Sequence, residues 1–99
     1  MASNIYNPSG GSALTYLNIP TSTTTLVKTG SGLLHAININ TIGTTSTVTV
    51  YDNTAGSGTK IATLSSVAQN SMIFDCKFTT GLTIVTAGAA AADITVTYK

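Results

Sequence analysis

From residue 13 onward the chain alternates apolar and polar residues in short runs, interrupted about every ten residues by bends of Gly, Ser, Asn and Thr. A period of two sends successive side chains to opposite faces of a strand and cannot gather an apolar stripe on a helix. The runs are ALTYLNI (13–19), TTTLVKT (23–29), LLHAININ (33–40), STVTVY (46–51), KIATL (60–64), SMIFDCKF (71–78), GLTIVT (81–86) and DITVTYK (93–99). Their number and spacing predict an all-β fold, an antiparallel β-sandwich or jelly-roll-like barrel of about eight short strands. Only TAGAAAAD (86–93) has helix-forming composition. It is too short to hold a helix alone and Gly88 interrupts it, so it reads as a loop or a single turn. Within the third run, strict alternation sets Leu33, His35, Ile37 and Ile39 on one face.

Ninety-nine residues make one domain, here residues 13–99, preceded by an extended N-terminal arm over 1–12 whose Gly, Ser, Pro and Asn content is that of a linker. Charged residues make up 7% of the chain, against about 25% in an ordinary soluble domain. Arg, Glu and Trp are absent; Lys28, Lys60, Lys77 and Lys99 nearly balance Asp52, Asp75 and Asp93, leaving a formal charge of +1. This leaves no basic footprint for nucleic acid or for an anionic membrane. No apolar run approaches the roughly 20 residues that span a bilayer, and the arm lacks the basic and apolar regions of a secretory signal. The expected site of synthesis is a reducing cytoplasm. About one residue in five is threonine, which suits a pleated, half-exposed surface. A near-neutral hydroxyl surface gives copies little mutual repulsion and fits a protein packed against neighbours.

The stretch DNTAGSG (52–58), between two strand runs, is the place to look for chemistry. A phosphate cradle needs spaced glycines running into a helix N-terminus. Here Lys60 follows the glycines and a strand pattern follows Lys60. A calcium loop needs alternating carboxylates or amides closing on Glu; Asp52 and Asn53 are adjacent and the chain has no Glu. Turn chemistry accounts for the stretch, with Asp and Asn bonding their own backbone and glycine supplying positive φ. His35 is the single histidine, and no Ser lies in a nucleophile elbow that it would serve; it reads as a core or interface histidine bonded to a backbone or hydroxyl group. Cys76 reads as a small buried hydrophobe in phase with Met72, Phe74 and Phe78. Asp75 and Lys77, two apart, read as an exposed pair. No catalytic, metal or cofactor site is expected, and no small-molecule substrate. The candidate functional residues are partner contacts: Ile5, Tyr6 and Pro8 in the arm, and Tyr16, Tyr51 and Tyr98, because Tyr offers a large flat face with a polar edge. An equally weighted reading has the tyrosines capping the ends of the sandwich.

The succession GLLHAININTIGTTSTVTVYDNTAGSGTKIATL, closing on FTTGLTIVTAGAAAADITVTYK, resembles a group of small virion proteins of tailed bacteriophages. The likeness spans about residues 26–99 and is carried by Gly32, Leu33, His35, Tyr51, Asp52, Gly56, Gly58, Gly81, Leu82, Asp93 and Tyr98. The resemblance implies a non-enzymatic structural protein of the virion, all-β and often trimeric, from a group of capsid decoration (cement) proteins and pieces of head and tail fibres. Together with the hydroxyl surface and the arm, the expected role is a capsid decoration protein, a homotrimer on the outer surface of the virion, made in the host bacterial cytoplasm, with the major capsid protein as its partner. The alternative is a fibre- or tail-associated module binding a receptor or glycan, for which Tyr51, Asp52 and Asn53 would supply the platform.

Overall fold

A computed structural model describes residues 13–65, 71–90 and 92–99. Eight strands follow one another: β1 (Thr15–Ile19), β2 (Thr24–Thr29), β3 (Gly32–Thr41), β4 (Thr47–Tyr51), β5 (Lys60–Ser65), β6 (Ser71–Phe78), β7 (Gly81–Ala87) and β8 (Asp93–Tyr98). Each lies within two residues of an alternating run, because period two and the bends between runs are local properties of the chain. The arm, with Ile5, Tyr6 and Pro8, lies outside the described residues.

The strands form two four-stranded sheets, ordered β1-β8-β3-β6 and β2-β7-β4-β5, with every pairing antiparallel. Only β4 and β5 are consecutive neighbours within a sheet; every other connection crosses from one sheet to the other. This interleaved order is the double Greek key of a jelly roll. It gives the sandwich two ends. At one lie the β2–β3 turn, the β4–β5 loop, the β6–β7 turn and Lys99. At the other lie the β1–β2, β3–β4 and β7–β8 connections, with the end of β5 and the start of β6.

The inner faces interlock in one core. Ile19, Leu34, Ile37, Ile39, Phe78, Ile94 and Val96 come from the first sheet, and Val48, Val50, Leu64, Leu82 and Ile84 from the second. At the far end, Thr44 N–H donates to Ala90 O at 3.0 Å and Ala89 N–H to Thr44 O at 3.1 Å, tying the β3–β4 and β7–β8 connections together. Gly88 makes that approach possible, with φ at +145° and no room for a Cβ, which would lie 2.6 Å from Ser46 Cα. The 86–93 segment thus completes β7, bends, and pairs with a neighbouring loop, with no helical turn among its described residues.

The register of β3 slips against β8 at two places, at His35 and again between Ile39 and Thr41, and two expectations fail at the first. Leu34 pairs with Tyr98 and Ala36 with Thr97, so β3 carries an extra residue at His35 relative to β8. The buried positions are therefore Leu34, Ile37 and Ile39, while Leu33 and His35 are only half-buried. Opposite, Leu34 pairs with Cys76 and Ala36 with Ile73, so β6 also carries an extra residue, and Asp75 there has φ of 47°. Phe74, Cys76 and Phe78 pack against the core as expected, whereas Met72 is 41% exposed on the border strand.

Phe78 is the largest fully buried side chain. Phe78→Ala is expected to cost about 3–5 kcal/mol of unfolding free energy, read as a lowered urea midpoint with an unchanged m-value.

Candidate functional site

The DNTAGSG loop is a structural clamp and a cover. Asp52, at the end of β4, turns its carboxylate to the β6–β7 turn. Thr80 N–H donates to Oδ1 at 2.8 Å, and Thr79 N–H lies 3.1 and 3.0 Å from Oδ1 and Oδ2. Thr79 Oγ1 (3.2 Å) and Gly81 N–H (3.4 Å) complete the set. These donors, those of Thr80 and Thr79 first, hold the Asp52 carboxyl below its ordinary value of 3.8. Asp52 thus departs from the sequence reading: it bonds a turn about 27 residues away along the chain, not its own backbone. Asn53 behaves as expected, accepting from Thr54 N–H at 2.9 Å and donating to Ser57 O at 2.7 Å. Gly58 takes the positive φ, at +92°.

From that base the loop folds over the outer face of the second sheet. Thr83 is an outward residue of β7, yet only 1% exposed, and its Oγ1 donates to Asn53 O at 2.7 Å. Gly56 lies so close to this face that a Cβ would stand 2.7 Å from Val85 Cγ2 and 3.1 Å from Thr24 Cγ2. Hence β7 is buried on both faces through most of its length. The polar groups of Asp52 and Asn53, which a glycan platform would need, are engaged in hydrogen bonds within the chain.

The first sheet presents an open outer face. Register places Tyr16, Thr97, Ala36 and Ile73 in one row across it, and Asn18, Thr95, Asn38 and Ser71 in the next. Amide and hydroxyl groups join the second row to Asp93. Asn18 Nδ2 donates to Asp93 Oδ1 (2.5 Å) and Ile94 O (2.8 Å), Asn40 Nδ2 to Thr95 Oγ1 (2.8 Å) and Asp93 Oδ1 (3.2 Å), and Asn38 Nδ2 to Asn40 Oδ1 (2.5 Å). Ser71 Oγ donates to Asn38 Oδ1. In the first row, Tyr16 is 71% and Ile73 64% exposed. The sequence signal for this face, polar residues two apart on β1, β3 and β8, was present, but which strands lie side by side was not.

His35 and Asp75 meet where the two extra residues face each other, with Nδ1 and Oδ1 2.5 Å apart. The histidine therefore bonds a carboxylate, against the expectation of a backbone or hydroxyl partner, and Asp75 bonds His35 instead of Lys77. Both follow from the bulges, which turn these side chains out of the alternating phase. Burial raises the Cys76 thiol above its ordinary value, and the nearby Asp75 and Asp52 carboxylates add to the shift. Among the described residues, no three of His, Cys, Asp and Glu gather as a metal site requires, and no pocket opens.

Of the expected partner residues, Tyr16 is well exposed, Tyr51 is half-buried and Tyr98 packs against the core. All four lysines lie at the end carrying the β4–β5 loop: Lys28 near the end of β2, Lys60 at the start of β5, Lys77 beside Phe78, and Lys99. The opposite end carries Asp93 and none of the lysines. No family model, curated protein or solved structure matches the chain.

The Asp52 clamp has a pH signature. Its carboxyl titrates lower in the folded state than in the unfolded chain, so its contribution is fully present above about pH 4 and lost as pH falls through and below that value. Thermal melts from pH 7 to pH 3 are expected to show a falling Tm at the acid end, and Asp52→Asn is expected to start lower and fall less.

Proposed function

We propose that this protein is a non-enzymatic structural component of a bacteriophage virion, a decoration protein that binds the outer surface of the capsid shell as an oligomer and stabilises junctions between capsomers. The observation that carries this reading is the contrast between the two outer faces. The second sheet is covered over β7 by the protein's own loop, through Thr83 and Gly56. The first sheet leaves a field of amides and hydroxyls, with the Asp93 carboxylate at its margin, beside a row that begins at Tyr16 and ends at Ile73. Such a field matches a protein surface, since it pairs hydrogen bonds and excludes water with one carboxylate, Asp93, already satisfied by amides at its margin. The groups best suited to chemistry serve the fold: Asp52 holds a turn and His35 holds a bulge. The resemblance to small virion proteins supplies the class of partner, the major capsid protein. A modest contact repeated around a shell becomes durable through its multiplicity.

The test is reconstitution. Purified protein added to expanded capsids that lack it is expected to bind saturably, in many copies per particle, and to raise the temperature at which capsids rupture. Ile73→Glu, which sets an unpaired carboxylate on the open face, is expected to weaken shell binding roughly tenfold or more, with Thr63→Glu on β5 as an unaffected control. Capsids whose rupture temperature does not respond to the added protein would remove the decoration role. Saturation at a handful of copies per particle would favour a fibre or tail component.

A further inference from the structure

Four strands border the two sheets: β1 and β6 in one, β2 and β5 in the other. A border strand offers a row of backbone groups to any passing chain, and proteins blunt it with lysines and bulges. Three of the four are blunted in the same way. In β2 the register slips between Leu26 and Lys28, giving an extra residue beside a lysine. In β5 Val50 pairs with Ala62 and Tyr51 with Lys60, again an extra residue beside a lysine. In β6 the extra residue falls at Asp75, with Lys77 following. By contrast, β1 has neither device. Its pairing with β8 runs from Thr15–Tyr98 to Ile19–Ile94 without a slip, none of its five residues is charged, and Tyr16 stands out from it 71% exposed.

We infer that β1 is a self-association edge, at which two copies of this chain pair β1 to β1, antiparallel about a two-fold axis at Leu17, and join their sheets into one. The occupant is a second copy because the strand complements itself. Centred on Leu17, the pairing sets Leu17 against its counterpart on the side that packs toward the core, and Thr15 opposite Ile19 of the other copy. On the outer side Tyr16 of each copy lies opposite Asn18 of the other, an aromatic ring against an amide. No charged residue meets its own image, and a formal charge of +1 per chain adds little repulsion. The contact also closes. Pro20 follows Ile19 and limits the pairing to the five residues of β1. The opposite border of the same sheet is the bulged β6, so the joined sheet does not extend into a filament. This pairing stands independently of the virion reading, and its two-fold symmetry differs from the three-fold association that the resemblance implies.

The experiment is light scattering on the full chain after size exclusion, from about 1 to about 100 µM, the range in which modest interfaces titrate. The expected mass at high concentration is twice the 10.0 kDa of the chain. Tyr16→Lys, which gives β1 the residue that blunts the other edges, is expected to raise the dimer dissociation constant roughly tenfold or more with the monomer's unfolding curve unchanged. Thr15→Lys, also at an exposed position, provides the same readout if the first variant folds poorly. In hydrogen exchange, protection of Thr15–Ile19 is expected to rise with protein concentration in the wild type and not in the variants. A single-chain mass throughout the range would overturn the inference, as would a three-chain mass. So would a dimer that survives both lysine substitutions, or one that dissolves on removal of residues 1–12 while β1 is intact.

Discussion

One carboxylate stands where three parts of the sandwich meet. Asp52 ends β4 in the second sheet, opens the loop that covers that sheet, and accepts hydrogen bonds from the turn that carries β6 of the first sheet into β7 of the second. A charged acceptor satisfied by backbone N–H groups is stronger than a neutral one and has a fixed geometry. It orients the β6–β7 crossover, and through it the position of β7 between β2 and β4. The same anchor sets where the loop leaves β4, so that Gly56 comes down on Val85 and Thr24. In a chain with three acidic residues, spending one on this bridge is a large commitment of its charge.

The cover makes the molecule two-sided. With the loop in place the middle of the second sheet is covered by its own chain, and β7 reads as buried where an outer strand face would be wet. Among the described residues no loop lies in the same way over the first sheet, whose outer face is built from Asn, Thr, Ser and Ala with apolar residues at its borders. Charge follows a second asymmetry, along the strands, with the lysines at the looped end and Asp93 at the other. Sidedness of this kind suits a protein that meets its neighbours in one orientation. Edge protection adds a third distinction, since bulges and lysines mark three borders and leave the fourth regular.

Period-two alternation and the bends between runs were enough to find all eight strands and the all-β class, because both are short-range properties written into neighbouring residues. The DNTAGSG stretch was legible as turn chemistry at Asn53 and Gly58 for the same reason. The reading failed where one residue is inserted into a ladder. His35 sits between two adjacent apolar pairs, Leu33–Leu34 and Ala36–Ile37, which fit either phase of the alternation and do not say where the slip falls. A bulge is decided by the partner strand, and β8 and β6 lie far along the chain from β3.

By itself, then, the order of residues determined that this chain makes short strands, where they begin and end, and that its surface is nearly without charge. Tertiary structure alone decided which strands are neighbours, that Asp52 serves a distant turn, that a loop covers β7 on its outer side, and that His35 meets Asp75. The division has a physical cause. Strand formation and turns depend on interactions within a few residues, whereas register, coverage and pairing depend on which segments the burial of Phe78, Leu34, Ile84 and their neighbours brings side by side.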